Sequence, residues 1–198
     1  MTEMELREEI RRYEPFNEQE REDKKEILRQ MEQADHILTR DNRNAHITVS
    51  AWIMDRDRKK VLMAYHNLYQ SWAWLGGHAD GDADLKAVAL KEIREESGLE
   101  SVRFVTEDIF SLEILTVDGH EKRGSYVPSH LHLNVTYLLE ADPELPLRIK
   151  EDENSEIWWI GVEEIQRRST EKWFVERIYS KLCKKVQSLR NGKLAIPE

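Results

Sequence analysis

Residues 77–99 read GHADGDADLKAVALKEIREESGL. From Leu85 onward the stretch is rich in helix formers, with Gly76, Gly77 and Gly81 before it and Gly98 after it. A helix turns by about 100° per residue. With Leu85 set at zero, Val88 falls at about −60°, Ala89 at about +40° and Ile93 at about +80°, which makes an apolar stripe. Glu92 (about −20°), Glu96 (about +20°) and Glu95 (about −80°) continue that stripe, whereas Lys91 and Arg94 point away. Acids that only solvate a helix sit on the opposite side. These three also crowd at i, i+3 and i+4, where like charges repel. They stand near the negative end of the helix dipole, with Gly98 as the C′ stop. A hard divalent cation with oxygen ligands compensates such a cluster. The bland alternative is a solvated acidic helix end.

Outward from this helix the pattern is largely β. Upstream, HITVSAWIMD (46–55) and KKVLMAYH (59–66) are β-branched and aromatic, with DRDR between them as a turn, and predict an antiparallel pair. WAWLGGHADGD then leads through glycines into the helix. Downstream, strands are predicted at 102–106 and 109–117, followed by a polar loop (DGHEKRGSYVPS, 118–129) and a long strand, HLHLNVTYLLEAD. EIWWIG predicts a short apolar strand and VEEIQRR a short helix. From about Glu171 to Leu189 the tail reads as an amphipathic helix carrying Trp173, Phe174, Ile178 and Leu182. Residues 1–40 read as two charged helices broken near Pro15, with Leu6, Ile10 and Tyr13, then Ile27, Met31 and Ile37, at helical spacing. They suit a cap or a dimer arm. Strands joined as hairpins and interspersed with helices predict an α+β fold.

A chain of 198 residues suits one domain with appendages. Its net charge of −9 argues against coating nucleic acid or an anionic membrane, although divalent cations would still let it hold a polyphosphate. A single cysteine, Cys183, rules out an internal disulfide framework. The first residues, MTEMELREEIRR, have no apolar targeting segment, and no run approaches the ~18 apolar residues of a membrane span. A cytoplasmic protein is the expectation.

The same stretch resembles the box of the Nudix hydrolase family, G-x5-E-x7-R-E-U-x-E-E-x-G-U with U a bulky aliphatic. Gly77 opens it; Glu92, Ile93, Glu95, Glu96, Gly98 and Leu99 follow at the family spacing. Two positions depart: Ala83 stands for the first Glu and Lys91 for the Arg. Lys keeps the charge of Arg without its forked geometry. The resemblance implies a mixed α/β/α sandwich over roughly residues 43–168, with 1–42 as a helical extension and 169–198 as a helix packed on the domain. It implies a homodimer and hydrolysis of a diphosphate linkage in a nucleotide-like small molecule, by water attack on phosphorus with Mg²⁺ or Mn²⁺. Glu92, Glu95 and Glu96 would ligate the metal, joined by a carbonyl of Gly76 or, preferably, Gly77. Glu92 and Glu96 would take part in catalysis. The general base would be a box Glu or an acid of EDENSE, Glu153 or Glu156, with Glu153 preferred. The alternative is a Nudix-fold binding or sensor module that has lost catalysis, for which Ala83 and Lys91 speak.

His78, in the glycine-rich turn, is a candidate phosphate contact. His130 and His132 are two apart, so they share a strand face and form a polar row with Asn134. A zinc site there needs a third ligand that spacing does not supply. A row lining a substrate cleft is favoured over a zinc site, and plain solvent exposure is the bland alternative.

Overall fold

The structure is a computed structural model that describes residues 1–122 and 124–190. Two charged helices come first, α1 (Glu3–Arg12) and α2 (Glu18–Gln33), followed by strands β1 (Ala45–Met54), β2 (Lys60–His66), β3 (Ser71–Ala73) and β4 (Leu75–His78). Helix α3 (Leu85–Ser97) leads to β5 (Arg103–Phe104), β6 (Ser111–Val117), β7 (His120–Lys122), β8 (Ser125–Val127), β9 (His130–Glu140) and β10 (Asn154–Gly161). The chain continues with α4 (Ile165–Arg168), α5 (Lys172–Phe174), a π-helical turn (Val175–Tyr179) and α6 (Ser180–Arg190). The main sheet has hydrogen-bonded order β10-β2-β1-β9-β5, with β3 on β2, β4 on β1 and β6 on β9. This mixed sheet with helices is the α+β architecture expected. Among the described residues no helix is long and apolar enough to cross a membrane.

Contacts divide the chain into two units, each assembled from three segments. The first contains Met1–Ser50, Gly77–Ala89 and Asp108–Thr136; the second contains Ala51–Gly76, Leu90–Glu107 and the chain from Tyr137 on. In the first unit Leu6, Ile10, Ile27 and Met31 are buried, as the helical stripes predict; Ile37 is buried too, but past the end of α2 at Gln33, so the second stripe stops at Met31. Glu20 of α2 is fully buried and accepts from the Tyr13 hydroxyl, from Phe16 N (2.7 Å) and from Ser111 Oγ of β6 (2.7 Å). A buried carboxylate satisfied this way fixes the N-terminal helices to β6, because leaving its partners unpaired is costly.

The second unit's core is aromatic. Trp52 of β1 stacks on Tyr179 at 5.5 Å between centroids, and Trp74 meets the same ring edge-on at 5.6 Å. The predicted hairpin is present, with Met54 opposite Val61. Ile157↔Ala64 and Trp159↔Leu62 lie within the β10–β2 register. Strand β1 is buried along its whole length, its polar His46, Thr48 and Ser50 included.

Three local expectations change. The polar loop 118–129 contains a small antiparallel hairpin, with His120↔Val127 and Glu121↔Tyr126; its residue 123 lies outside the described residues. Its polar composition gave no strand signal. The tail is not one α-helix: the π turn shifts the phase, and Ser180 Oγ donates to the carbonyl of Val175 five residues back (2.7 Å). Trp173 is consequently exposed while Ile178 and Leu182 are buried. Residues 191–198 of the predicted C-terminal segment lie outside the described residues.

Candidate metal centre

Helix α3 begins where predicted, for a local reason. The Asp84 carboxylate accepts from Ala87 N (3.2 Å), three residues on, which is an N-cap bond. It ends at Gly98, whose φ of +72° favours glycine. A Cβ there would also press on Arg148 (2.9 Å to Nε). Arg148 N donates to the Ser97 carbonyl (2.8 Å), which brings the segment after Pro146 to the end of the helix.

The three acids of α3 differ in depth. Glu96 is 6% exposed, Glu92 is half-buried and Glu95 is exposed. The stripe therefore captures Glu92 and Glu96 but not Glu95, whose angle placed it at the stripe's edge. Glu96 Oε2 accepts from Gly76 N (3.0 Å). Burial pushes the Glu96 carboxyl up to about 8; that N–H opposes the rise, and the charges of Glu92 and Glu153 add to it. Glu92 is raised too, first by burial and then by the Glu95 charge, with Lys91 and Lys150 opposing.

Glu153 stands in the turn before β10, half-buried, 2.9 Å from Lys150 Nζ. Lys150 also lies 3.8 Å from Glu95 Oε2. Partial burial works against its charge, but the hydrogen bond and charge of Glu153, with Glu92 and Glu95 nearby, hold its pKa above the ordinary value. Lys150 was not singled out from the sequence: a lysine in a charged loop carries no pattern. Glu156 is exposed on β10. Lys91 is exposed, 3.8 Å from Glu95 and 4.0 Å from Glu92, with no bidentate contact. Ala83 is 5% exposed.

Glu92 and Glu153, whose charges raise Glu96, and Glu95, whose charge raises Glu92, are hard oxygen donors beside a nearly buried carboxyl that accepts from Gly76 N. That donor set fits Mg²⁺ or Mn²⁺. The cavity of about 590 Å³ in the second unit is lined elsewhere, by Arg58, Lys60, Trp158, Trp159 and Cys183 among others. Burial pushes the Cys183 thiol up to about 11, so it is no activated nucleophile.

The expected histidine row lies in the first unit. His78, His130 and His132 gather there with a residue that sequence reasoning missed, His46 of β1. Ring centroids are 4.9 Å apart for His46–His130, 5.1 Å for His46–His132, 5.1 Å for His46–His78 and 4.8 Å for His78–His132. Strand pairing brings them together: Ala79 N donates to the Ile47 carbonyl (3.1 Å), and Leu131 N to that of Asn44 (2.9 Å). Asn134 leaves the row for the core. It is 1% exposed, accepts from Thr48 and Ser50 (3.0 Å each) and donates to Glu113 (3.1 Å). The missed signal was a second period-2 polar row, His46–Thr48–Ser50, matching His130–His132–Asn134–Thr136.

A family model described as NUDIX domain matches residues 44–182. Among curated proteins no relative matches by sequence. Of the solved structures, the C. elegans Ap4A hydrolase, crystallised as a binary complex, is 17% identical with a TM-score of 0.53, covering 74% of this chain and 98% of its own. The MutT protein from Methanosarcina mazei Go1 is 16% identical with a TM-score of 0.54, also covering 74% and 98%. At these identities the likeness is one of fold.

Proposed function

This chain belongs to the Nudix family, and from that premise we propose that it hydrolyses a diphosphate linkage in a nucleoside-diphosphate-type small molecule, using Mg²⁺ or Mn²⁺. The observation that carries the reading is Glu96: a carboxylate 6% exposed and pushed up to about 8, facing the Gly76 N–H amid Glu92, Glu95 and Glu153. Nothing in packing favours burying that acid beside other acids; cation binding does.

The roles follow from position. Glu92, Glu95 and Glu96 would hold the metal, which would supply charge neutralisation at the phosphate oxygens and a lowered pKa for a bound water. A carbonyl of the glycine turn, Gly76 or Gly77, is the remaining protein donor proposed. The Gly76 N–H aims Glu96. Glu153 takes the proton of the attacking water, oriented by Lys150 at 2.9 Å. Family membership supports the reaction type, and the names of the Ap4A hydrolase and MutT neighbours point to nucleotide-like substrates.

The second reading, a Nudix-fold binding module, is favoured by one observation. Lys91 makes only loose surface contacts, and a buried alanine stands at the first box acid. One assay separates the two: product release from a panel of nucleoside diphosphate derivatives with Mg²⁺, Mn²⁺ or chelator, wild type beside Glu96→Gln. Metal-dependent turnover lost in the variant supports the hydrolase. Metal-dependent binding without turnover across the panel supports the module.

A further inference from the structure

The histidine cluster has a feature that a substrate-facing row does not explain. His46 is 4% exposed, and its Nδ1 lies 3.0 Å from the Asn42 carbonyl. A carbonyl only accepts, so Nδ1 carries the proton and neutral His46 presents a bare Nε2. That Nε2 is buried and has no hydrogen-bond partner among the described residues. His130 repeats the arrangement: its Nδ1 lies 2.9 Å from the Pro128 carbonyl, which leaves its Nε2 bare, 3.2 Å from His132 Nε2. One ligand nitrogen from each of the three rings lies within 4.8 Å of the others.

Two ways of satisfying these nitrogens can be compared. A hydrogen bond from His132 to His130 serves that pair and leaves His46 Nε2 orphaned, at the cost of a desolvated lone pair. A metal ion serves all three. Nitrogens bound to zinc at about 2.0–2.1 Å in tetrahedral geometry stand about 3.3 Å apart, close to the His130–His132 spacing of 3.2 Å. Metal-bound histidines also donate the other ring N–H to a carbonyl or carboxylate, which fixes tautomer and aim; His46 and His130 both do so. Asp80, an acid whose charge acts on His46, is engaged by Arg40 through two bonds of 2.8 and 2.6 Å.

We propose that His46, His130 and His132 form a metal site of their own, a three-imidazole centre for Zn²⁺ or a similar borderline divalent cation, with a fourth position left for water or an anion. Imidazole selects Zn²⁺, Ni²⁺ or Cu²⁺ over Mg²⁺, so this centre and the carboxylates of α3 take different ions. The bound ion ties β1 to the start of β9.

The test uses the full chain, stripped of metal with chelator and titrated with Co²⁺, whose visible absorption reports tetrahedral nitrogen ligation, followed by displacement with Zn²⁺. It is run in the wild type and in a Glu92→Gln/Glu95→Gln/Glu96→Gln background, which removes the carboxylate ligands. One equivalent of Zn²⁺ is expected in both proteins, unaffected by millimolar Mg²⁺. In the background variant, His132→Ala and, separately, His130→Asn are expected to weaken Zn²⁺ binding at least 100-fold. His130 is half-exposed, so its replacement leaves folding intact, as circular dichroism will check. Absence of a Zn²⁺ equivalent in the background variant, or an equivalent that survives both histidine replacements, overturns the proposal. The outcome is independent of whether any diphosphate is hydrolysed.

Discussion

The carboxylates of α3 and the histidines of β1 and β9 handle buried polar atoms in opposite ways. The carboxyls of α3 crowd oxygens that repel one another when ionised, graded from buried Glu96 to exposed Glu95, with Lys150 as a resident cation 3.8 Å from Glu95. The histidines turn ring nitrogens toward one another, with the Nδ1 of His46 and of His130 set against the carbonyls of Asn42 and Pro128. The first arrangement is strained by charge and calls for a hard cation; the second is strained only by an unused lone pair and calls for a softer one. Burial alone does not identify a site. What each buried atom lacks, charge compensation or a partner, decides which chemistry it can serve.

The largest effect expected from breaking this contrast is on turnover. Glu96→Gln keeps the shape and still accepts from Gly76 N, but removes one charged ligand. A metal supplies several kcal/mol of transition-state stabilisation, so a loss of about 10²–10³-fold in kcat/KM is expected, with little change in fold. The same variant has a signature in stability. The folded pKa of Glu96, about 8, lies above the ordinary glutamate value of 4.5. Between those values the folded state holds a proton that the unfolded state has released. Stability of the metal-free protein therefore falls as pH rises from about 5 to 8. Thermal melts in chelator should show that slope in the wild type and a shallower one in Glu96→Gln. Equal slopes would remove Glu96 as the strained acid.

On the histidine side the expected effect is on stability. Zn²⁺ at 100 times its Kd adds about 2.7 kcal/mol to the folded state, or a rise of roughly 5–10 °C in Tm for a chain of this size. Mg²⁺ should not reproduce it in the Glu92→Gln/Glu95→Gln/Glu96→Gln background. A Zn²⁺ shift that persists when His132 is also replaced by Ala would blur the comparison.

The two sites were not equally legible, and the reason is range. The acids lie within five residues on one helix, so a single periodicity exposes them, and Asp84 and Gly98 mark that helix's ends locally. The hairpin of β1 and β2 is likewise local. His46 reaches His130 across 84 positions through strand pairing, which no window shows, and His130–His132 alone offered two ligands. Lys150 belongs to the same class, joined to α3 only because Arg148 N caps the Ser97 carbonyl. The hairpin of β7 and β8 escaped because its residues are polar, and the π turn because it leaves composition unchanged.

Lys150→Met tests the resident cation. Its pairs with Glu153 and Glu95 are partly exposed, so their loss should cost at most about 1 kcal/mol in chelator. Removing a cation that competes for the same carboxylates should also tighten Mn²⁺ binding at α3 by a few-fold. If Lys150 instead orients Glu153 for proton transfer, kcat falls while Mn²⁺ affinity rises, a split that a purely structural lysine does not produce. Unchanged Mn²⁺ affinity would show that the ammonium does not share the metal's place.

The smallest effect belongs to Lys91→Arg, which restores the box residue. Lys91 is exposed and reaches Glu95 and Glu92 only at 3.8 and 4.0 Å, where solvent screens most of the interaction. A forked guanidinium can hold Glu95 in two bonds and turn it toward the helix stripe, so a gain of about two- to three-fold in kcat/KM is expected, with Tm unchanged. A gain of 100-fold or more would mean that the lysine disables the acid cluster, and the distinction between a working carboxylate site and a binding module would then rest on this one position.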